Sequence, residues 1–297
     1  MGIDKSLVKK HFDRHAHEYE TFADVQLEMA ERLAALVSDH PAQRRGHTGT
    51  ILEIGSGTGR LTAMLAAAFP EARIVCVELS GRMIEEARRK LDAAQPGAAG
   101  RVSYIEGDAE AVVARLREAG EGTVFDLVVS NAAFQWLDSP GGTAQACARL
   151  LRPGGGRLAF STFGPNTFRQ LHAAFARAEA LLGLRPAPHG QTFAGKDEWT
   201  AWLAGLPGTF RWEERIRTEV HPDVRTFLHR VKRVGAGNAI AAGPRGVGGR
   251  RLIEAMERCY AESFASPDGS GVEADYHIGY GVFDRDDKEE RHGTKRS

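Results

Sequence analysis

Glycines stand at alternate positions of Gly55-Ser56-Gly57-Thr58-Gly59, directly after the apolar run Ile51-Leu52-Glu53-Ile54 and just ahead of the helical pattern Leu61 to Phe69. A strand that turns on glycines into a helix lets a ligand approach the backbone and aims the free N–H groups of the first helical turn at it. The dinucleotide fingerprint is Gly-x-Gly-x-x-Gly; here the spacing is Gly-x-Gly-x-Gly, and Glu53 lies two positions ahead of the first glycine. A carboxylate at that place repels a pyrophosphate and attracts a ligand that carries an ammonium and a sulfonium. The pattern therefore favours S-adenosylmethionine over a nicotinamide cofactor.

A second acidic anchor follows. Val75-Cys76-Val77-Glu78-Leu79-Ser80 places Glu78 at the end of a strand about 20 residues past the turn, where a carboxylate accepts ribose hydroxyls. Leu79 and Met83 follow it on the cofactor side. The next two apolar runs end in Gly107-Asp108-Ala109 and Ser130-Asn131-Ala132-Ala133, so Asp108 can accept from an adenine amino group, with Ala109 and Asn131 beside it. In an open α/β sheet all these strand ends share one edge, which is where a ligand binds.

The elements that must position these residues alternate. Thr50 to Ile54, Arg73 to Glu78, Arg101 to Glu106, Val124 to Ser130 and Gly156 to Phe163 read as strands with helical stretches between them. That alternation predicts a doubly wound α/β fold, mostly parallel, because parallel strands need helical crossovers. Thr209 to Val220 and Ala274 to Phe283 add two strands, for a seven-stranded sheet. Residues 1–45 are expected to form N-terminal lid helices, 46–221 the core, 222–272 a helical insertion near the substrate, 273–283 the last strand and 284–297 a disordered tail.

Lys plus Arg and Asp plus Glu both number 39, which gives no reason to expect nucleic acid or an anionic membrane as partner. Cys76, Cys147 and Cys259 are odd in number and far apart, against a disulfide framework or a zinc site. The first residues lack a signal-peptide core and no apolar run approaches a bilayer span, so a soluble cytoplasmic protein is expected, monomeric or weakly dimeric. His11, His15 and His17 fall within seven residues, and a solvated helix face is favoured over a metal site there. Arg225, Arg230, Lys232, Arg233, Arg245, Arg250 and Arg251 form a run with no acidic residue among them, which can steer an acidic partner or place a cation over a carboxylate substrate.

From residue 45 to 165 the chain resembles the class I S-adenosylmethionine-dependent methyltransferases with their Rossmann-like sheet, and more narrowly the BioC family, the malonyl-acyl carrier protein methyltransferases that open biotin synthesis. The narrower likeness rests on Phe12-Asp13-Arg14-His15-Ala16-His17-Glu18-Tyr19, on Asn131-Ala132-Ala133-Phe134-Gln135-Trp136, on Ser161-Thr162-Phe163-Gly164, on Lys232-Arg233-Val234-Gly235-Ala236 and on Tyr276-His277-Ile278-Gly279-Tyr280-Gly281. The resemblance implies methyl transfer to the free carboxylate of a malonyl thioester on acyl carrier protein or coenzyme A. It makes Tyr19 and Trp136 walls of the methyl-transfer pocket, Gln135 a substrate donor, and Lys232 or Arg233 the holder of the malonyl carboxylate. Other readings of the same fold are a small-molecule carboxyl or quinone-ring methyltransferase, or a silent cofactor-binding regulator.

Overall fold

The computed structural model describes residues 3–38, 40, 49–119, 124–235 and 247–287. Its strands are β1 (Thr50–Ile54), β2 (Arg73–Glu78), β3 (Val102–Glu106), β4 (Leu127–Asn131), β5 (Arg157–Phe163), β6 (Gly208–His221) and β7 (Val272–Arg285). They form one seven-stranded sheet in the order β3-β2-β1-β4-β5-β7-β6. β1 to β5 run parallel, while β7 slots antiparallel between β5 and β6. The order reverses between β1 and β4, so the glycine turn after β1 lies at the switch point where open α/β sheets take ligands.

The helices are α1 (Lys5–His15), α2 (Asp24–Val37), α3 (Arg60–Ala68), α4 (Gly81–Ala94), α5 (Ala109–Glu118), α6 (Pro140–Arg149), α7 (Arg169–Leu181), α8 (Lys196–Leu203), α9 (Val224–Arg233) and α10 (Val247–Ser263). Their starts follow local chemistry. Ser80 Oγ accepts from Met83 N at 3.1 Å to begin α4, Asp108 caps α5, Asp223 caps α9, and Pro140 opens α6 where no N–H is required. Parallel strands are covered on both faces and read as continuous apolar runs. Ile51, Ile74 and Leu127 pack with Leu33, Leu65 and Leu91 from α2, α3 and α4 on one face. Leu52, Val77 and Val128 pack with α5, α6 and α8 on the other. A third apolar cluster joins α7, α9 and α10 to β7.

Two expectations needed revision. α8 has no counterpart in the sequence reading, yet its Trp199 is among the most deeply buried side chains. The last strand also outruns its expected end: Asp284 and Arg285 belong to β7, and Asp284 accepts from Arg157 Nε at 2.6 Å and pairs with Arg211 at 2.7 Å. A tail rich in charge reads as solvated, but here opposite charges from two neighbouring strands hold its first residues. Residues 288–297 lie outside the described residues. Among those described, no helix is long and apolar enough to cross a membrane.

Candidate active site

Where β1 ends, Gly55 takes φ +72, and a Cβ there would sit 2.3 Å from Ala133 Cβ. Gly57 takes φ +53 with open space where its side chain would be. The left-handed backbone and the close approach explain why glycine occupies both positions. The turn walls a cavity of about 120 Å³ at the switch point.

Two carboxylates are buried in that wall. Glu53 is 1% exposed, and its Oε2 accepts from Thr62 Oγ1 at 2.7 Å and from Cys76 Sγ at 3.5 Å. Among the described residues it has no cationic partner, and burial pushes its carboxyl up to about 7. Glu78 is also buried; its Oε2 accepts from Gly57 N at 2.8 Å and its Oε1 from Ser80 N at 2.9 Å. Burial raises its pKa, and the backbone N–H groups work against that. Glu78 therefore braces the glycine turn as well as facing the cavity.

The N-terminal segment covers the cavity and is fastened at several points. Lys5 on α1 pairs with Asp108 at 2.7 Å, with Glu110 and with Asp138 at 3.3 Å. Asp13 accepts from Ser80 Oγ at 2.6 Å, and Lys9 pairs with Glu106 at 2.9 Å. Beyond α1, Arg60 donates to the carbonyls of Ala23 and Glu20, while the Glu20 carboxylate takes Thr58 Oγ1 at 2.6 Å and Lys90 at 2.5 Å. Asn131 Nδ2 donates to Gln26 O at 3.0 Å and its Oδ1 accepts from Ser161 Oγ at 2.6 Å, so its amide ties α2 to the sheet. Inside, Phe12 meets Tyr19 edge-on at 6.1 Å and Trp136 at 5.9 Å, an aromatic collar over the acidic floor. Burial pushes the Tyr19 phenol above its ordinary range, with the Glu78 charge adding to it.

Every residue expected on the cofactor side lines this cavity: Glu53, Gly55, Gly57, Glu78, Leu79, Met83, Asp108, Ala109 and Asn131, joined by Tyr19 and Trp136. Three others stand elsewhere. Gln135 Nε2 donates to Ala132 O at 2.6 Å, which steadies a non-glycine residue at φ 49, and the side chain faces a second cavity. Arg233 is spent on Glu18 and on His15 Nδ1 at 3.1 Å, and Lys232 is exposed. The basic run is largely neutralised by carboxylates outside it: Arg225 pairs with Glu257, Arg230 with Asp24 at 2.8 Å, and Arg250 with Glu254 one helical turn on. Arg245 and Ala236 lie outside the described residues. Of the three histidines His17 is exposed, whereas His11 lies against Arg233 O at 3.1 Å and His15 against Glu18 at 2.6 Å. Lys5, Glu20 and Arg60 were not foreseen at the site, because their partners are distant in sequence.

A family profile described as a methyltransferase domain matches residues 52–157. A malonyl-acyl-carrier protein O-methyltransferase of Halalkalibacterium halodurans is 36% identical over 90% of this chain and 94% of its own. One from Geobacter sulfurreducens is 37% identical over 94% and 98%. The chain belongs to the malonyl-acyl-carrier protein O-methyltransferase family. The fold agrees: the YcgJ protein from Bacillus subtilis superposes with a TM-score of 0.55 at 14% identity, over 87% of this chain and all of that one.

The site of this methyltransferase suits the cofactor that its family name implies. A cationic ligand supplies the countercharge that buried Glu53 lacks, and a glycine-lined turn leaves room for backbone contact. Among the described residues, no histidine and no lysine other than Lys5 lines the cavity.

Proposed function

We propose that this methyltransferase moves the methyl group of S-adenosylmethionine onto the free carboxylate of a malonyl thioester borne by acyl carrier protein, at the opening of biotin synthesis. One observation carries the reading beyond family membership: the cavity pairs a buried carboxylate that has no cationic partner among the described residues with an aromatic collar. An alcohol or amine acceptor needs its proton removed, whereas a malonyl carboxylate is already ionised at neutral pH. When bound, S-adenosylmethionine supplies an electrophilic methyl on a sulfonium. Glu53 offsets the cofactor's positive charge, Glu78 accepts its ribose hydroxyls, and Asp108 turns from Lys5 to its adenine. Tyr19, Phe12 and Trp136 shape the acceptor side and exclude water. Holding the carboxylate in line is worth about 7–11 kcal/mol of barrier in well-positioned systems.

The carrier is recognised at the seam of α1 and α9. Arg14 on α1 and Lys232 on α9 form no ion pair among the described residues, Lys10 on α1 feels only the nearby Asp4 charge, and Arg14 and Lys232 both act on His11, so they lie close together. An acidic carrier surface complements that group. Three free, buried thiols fit the reducing cytoplasm, with the chain acting as a monomer or weak dimer.

Methyl transfer measured with malonyl carrier protein, malonyl-coenzyme A and free dicarboxylic acids tests the proposal. Methyl esters of the thioesters, formed fastest on the carrier, are expected. Esterification of free dicarboxylic acids alone would replace the reading with a small-molecule carboxyl methyltransferase.

A further inference from the structure

The helix that leaves the glycine turn, α3, opens Arg60-Leu61-Thr62, and Thr62 is fully buried on it. Its hydroxyl reaches off the helix to β1, where Oγ1 donates to Glu53 Oε2 at 2.7 Å. The Cys76 thiol on β2 donates to the same oxygen at 3.5 Å, and burial keeps that thiol protonated. Both donors therefore meet one oxygen of the carboxylate. Oε1 accepts from nothing among the described residues, and it is not one of the polar atoms sealed from solvent without a partner, so it is the oxygen that the cofactor cavity reaches.

The last torsion of a glutamate side chain is soft, so a carboxylate with no fixed donor turns freely about it. A short hydroxyl bond to one oxygen fixes the plane and commits the other oxygen to one direction. The same bond favours the ionised carboxylate, against the burial that pushes Glu53 up to about 7. Cys76 and Glu78 on β2 and Tyr104 on β3 are the other titratable groups acting on it, with no cation among the described residues. Thr62 itself is not among the residues that line the cavity.

We infer that Thr62 is a positioning residue for cofactor binding: its hydroxyl holds Glu53 Oε2 so that Oε1 stands toward the cationic part of S-adenosylmethionine. The inference rests on the cofactor reading above and adds to it a residue that acts only through Glu53.

The hydroxyl can be separated from the bulk of the side chain. Thr62→Val removes it and keeps the shape, while Thr62→Ser keeps it and loses a methyl. One readout needs no ligand: the carboxyl carbon-13 titration of Glu53, assigned by its loss in Glu53→Gln. The other is calorimetric affinity for S-adenosylmethionine and for 5′-methylthioadenosine, an uncharged relative of the same nucleoside. In Thr62→Val the carboxyl midpoint should rise by about one pH unit. S-adenosylmethionine should then bind roughly fivefold more weakly at pH 7, the ratio of ionised fractions, while 5′-methylthioadenosine binds unchanged. Thr62→Ser should return both values to those of the parent. If valine disturbs the fold, Thr62→Ala against Thr62→Ser isolates the same oxygen. A packing role gives the opposite order, with serine weaker than valine, or equal losses on both nucleosides, and either result would overturn the inference. So would an unmoved carboxyl titration in Thr62→Val. An unmodified protein that binds no S-adenosylmethionine at any pH, with the carboxyl titration moving as stated, would overturn the cofactor reading and leave the hold of Thr62 on Glu53 standing.

Discussion

Among the described residues no cation balances Glu53, and that makes cofactor binding a proton-linked event. Its carboxyl is raised from the ordinary glutamate value to about 7. Between those values the folded chain holds a proton that the unfolded chain has lost, so stability of the free protein should fall as pH rises through that window. A cationic ligand favours the ionised form. Affinity for S-adenosylmethionine should therefore strengthen as pH rises through about 7 and level off above it, and Glu53→Gln should bind weakly with no such slope. Calorimetry across that range decides the point, and a flat profile in the unmodified protein would refute it. Glu78 behaves differently because its carboxylate is already engaged by Gly57 and Ser80. Glu78→Ala should weaken the cofactor by roughly ten- to hundredfold, the value of losing hydrogen bonds to a charged acceptor, and should loosen the turn too. Binding equal to the parent would remove the ribose assignment. Both carboxylates were legible in the sequence because strand ends and glycine spacing fix their place. Gln135 was not, since a glutamine after a strand gives no sign of which cavity it faces.

At the scale of elements, α1 is the cover and α2 is not. Met29, Ala30, Leu33 and Val37 of α2 are fully buried in the sheet's packing, whereas α1 buries chiefly Val8 and is held by charge. Removing residues 1–22 should leave a folded protein that retains little methyl transfer, and full turnover in that truncation would exclude a cover role for α1. A milder change isolates the fastening. Lys5→Met removes pairs that are partly exposed, each worth about 0.2–1 kcal/mol, so it should speed release of S-adenosylhomocysteine a few-fold in a stopped-flow experiment without lowering the melting temperature much. An unchanged release rate would mean that these pairs do not restrain the cover. The leading helices were readable from their apolar stripe, but nothing in a 1–38 window shows that Lys5 meets Asp108, 103 residues on.

Across the whole molecule, charge run and charge surface part company. The seven basic residues between 225 and 251 were read as one patch, yet Arg230 reaches Asp24 across 206 residues and Arg233 reaches Glu18 across 215. A linear sequence reports the sign of neighbours along the chain; only folding reveals who neutralises them. The sheet was legible for the opposite reason: parallel strands announce themselves by local apolar runs and by the helices that must separate them. α8 escaped because eight residues with two tryptophans carry little periodicity. The charge reversals follow this map. Replacing Lys10, Arg14 and Lys232 together by Glu should slow methylation of malonyl carrier protein far more than of malonyl-coenzyme A, and added salt should act with the same selectivity. Arg230→Glu with Arg233→Glu should instead impair both substrates alike, since it breaks contacts between α9 and the cover. If the triple variant slows both equally, the seam is not the docking surface.

The joining of Arg230 to Asp24 and of Arg233 to Glu18 also bears on kinetic order. A carrier that docks on the seam of α1 and α9 presses on the same elements that must part to admit the cofactor. Turnover should therefore follow a compulsory sequence, with S-adenosylmethionine first on and S-adenosylhomocysteine last off. Product inhibition would show it: S-adenosylhomocysteine competing with S-adenosylmethionine, yet not displaced by saturating malonyl carrier protein.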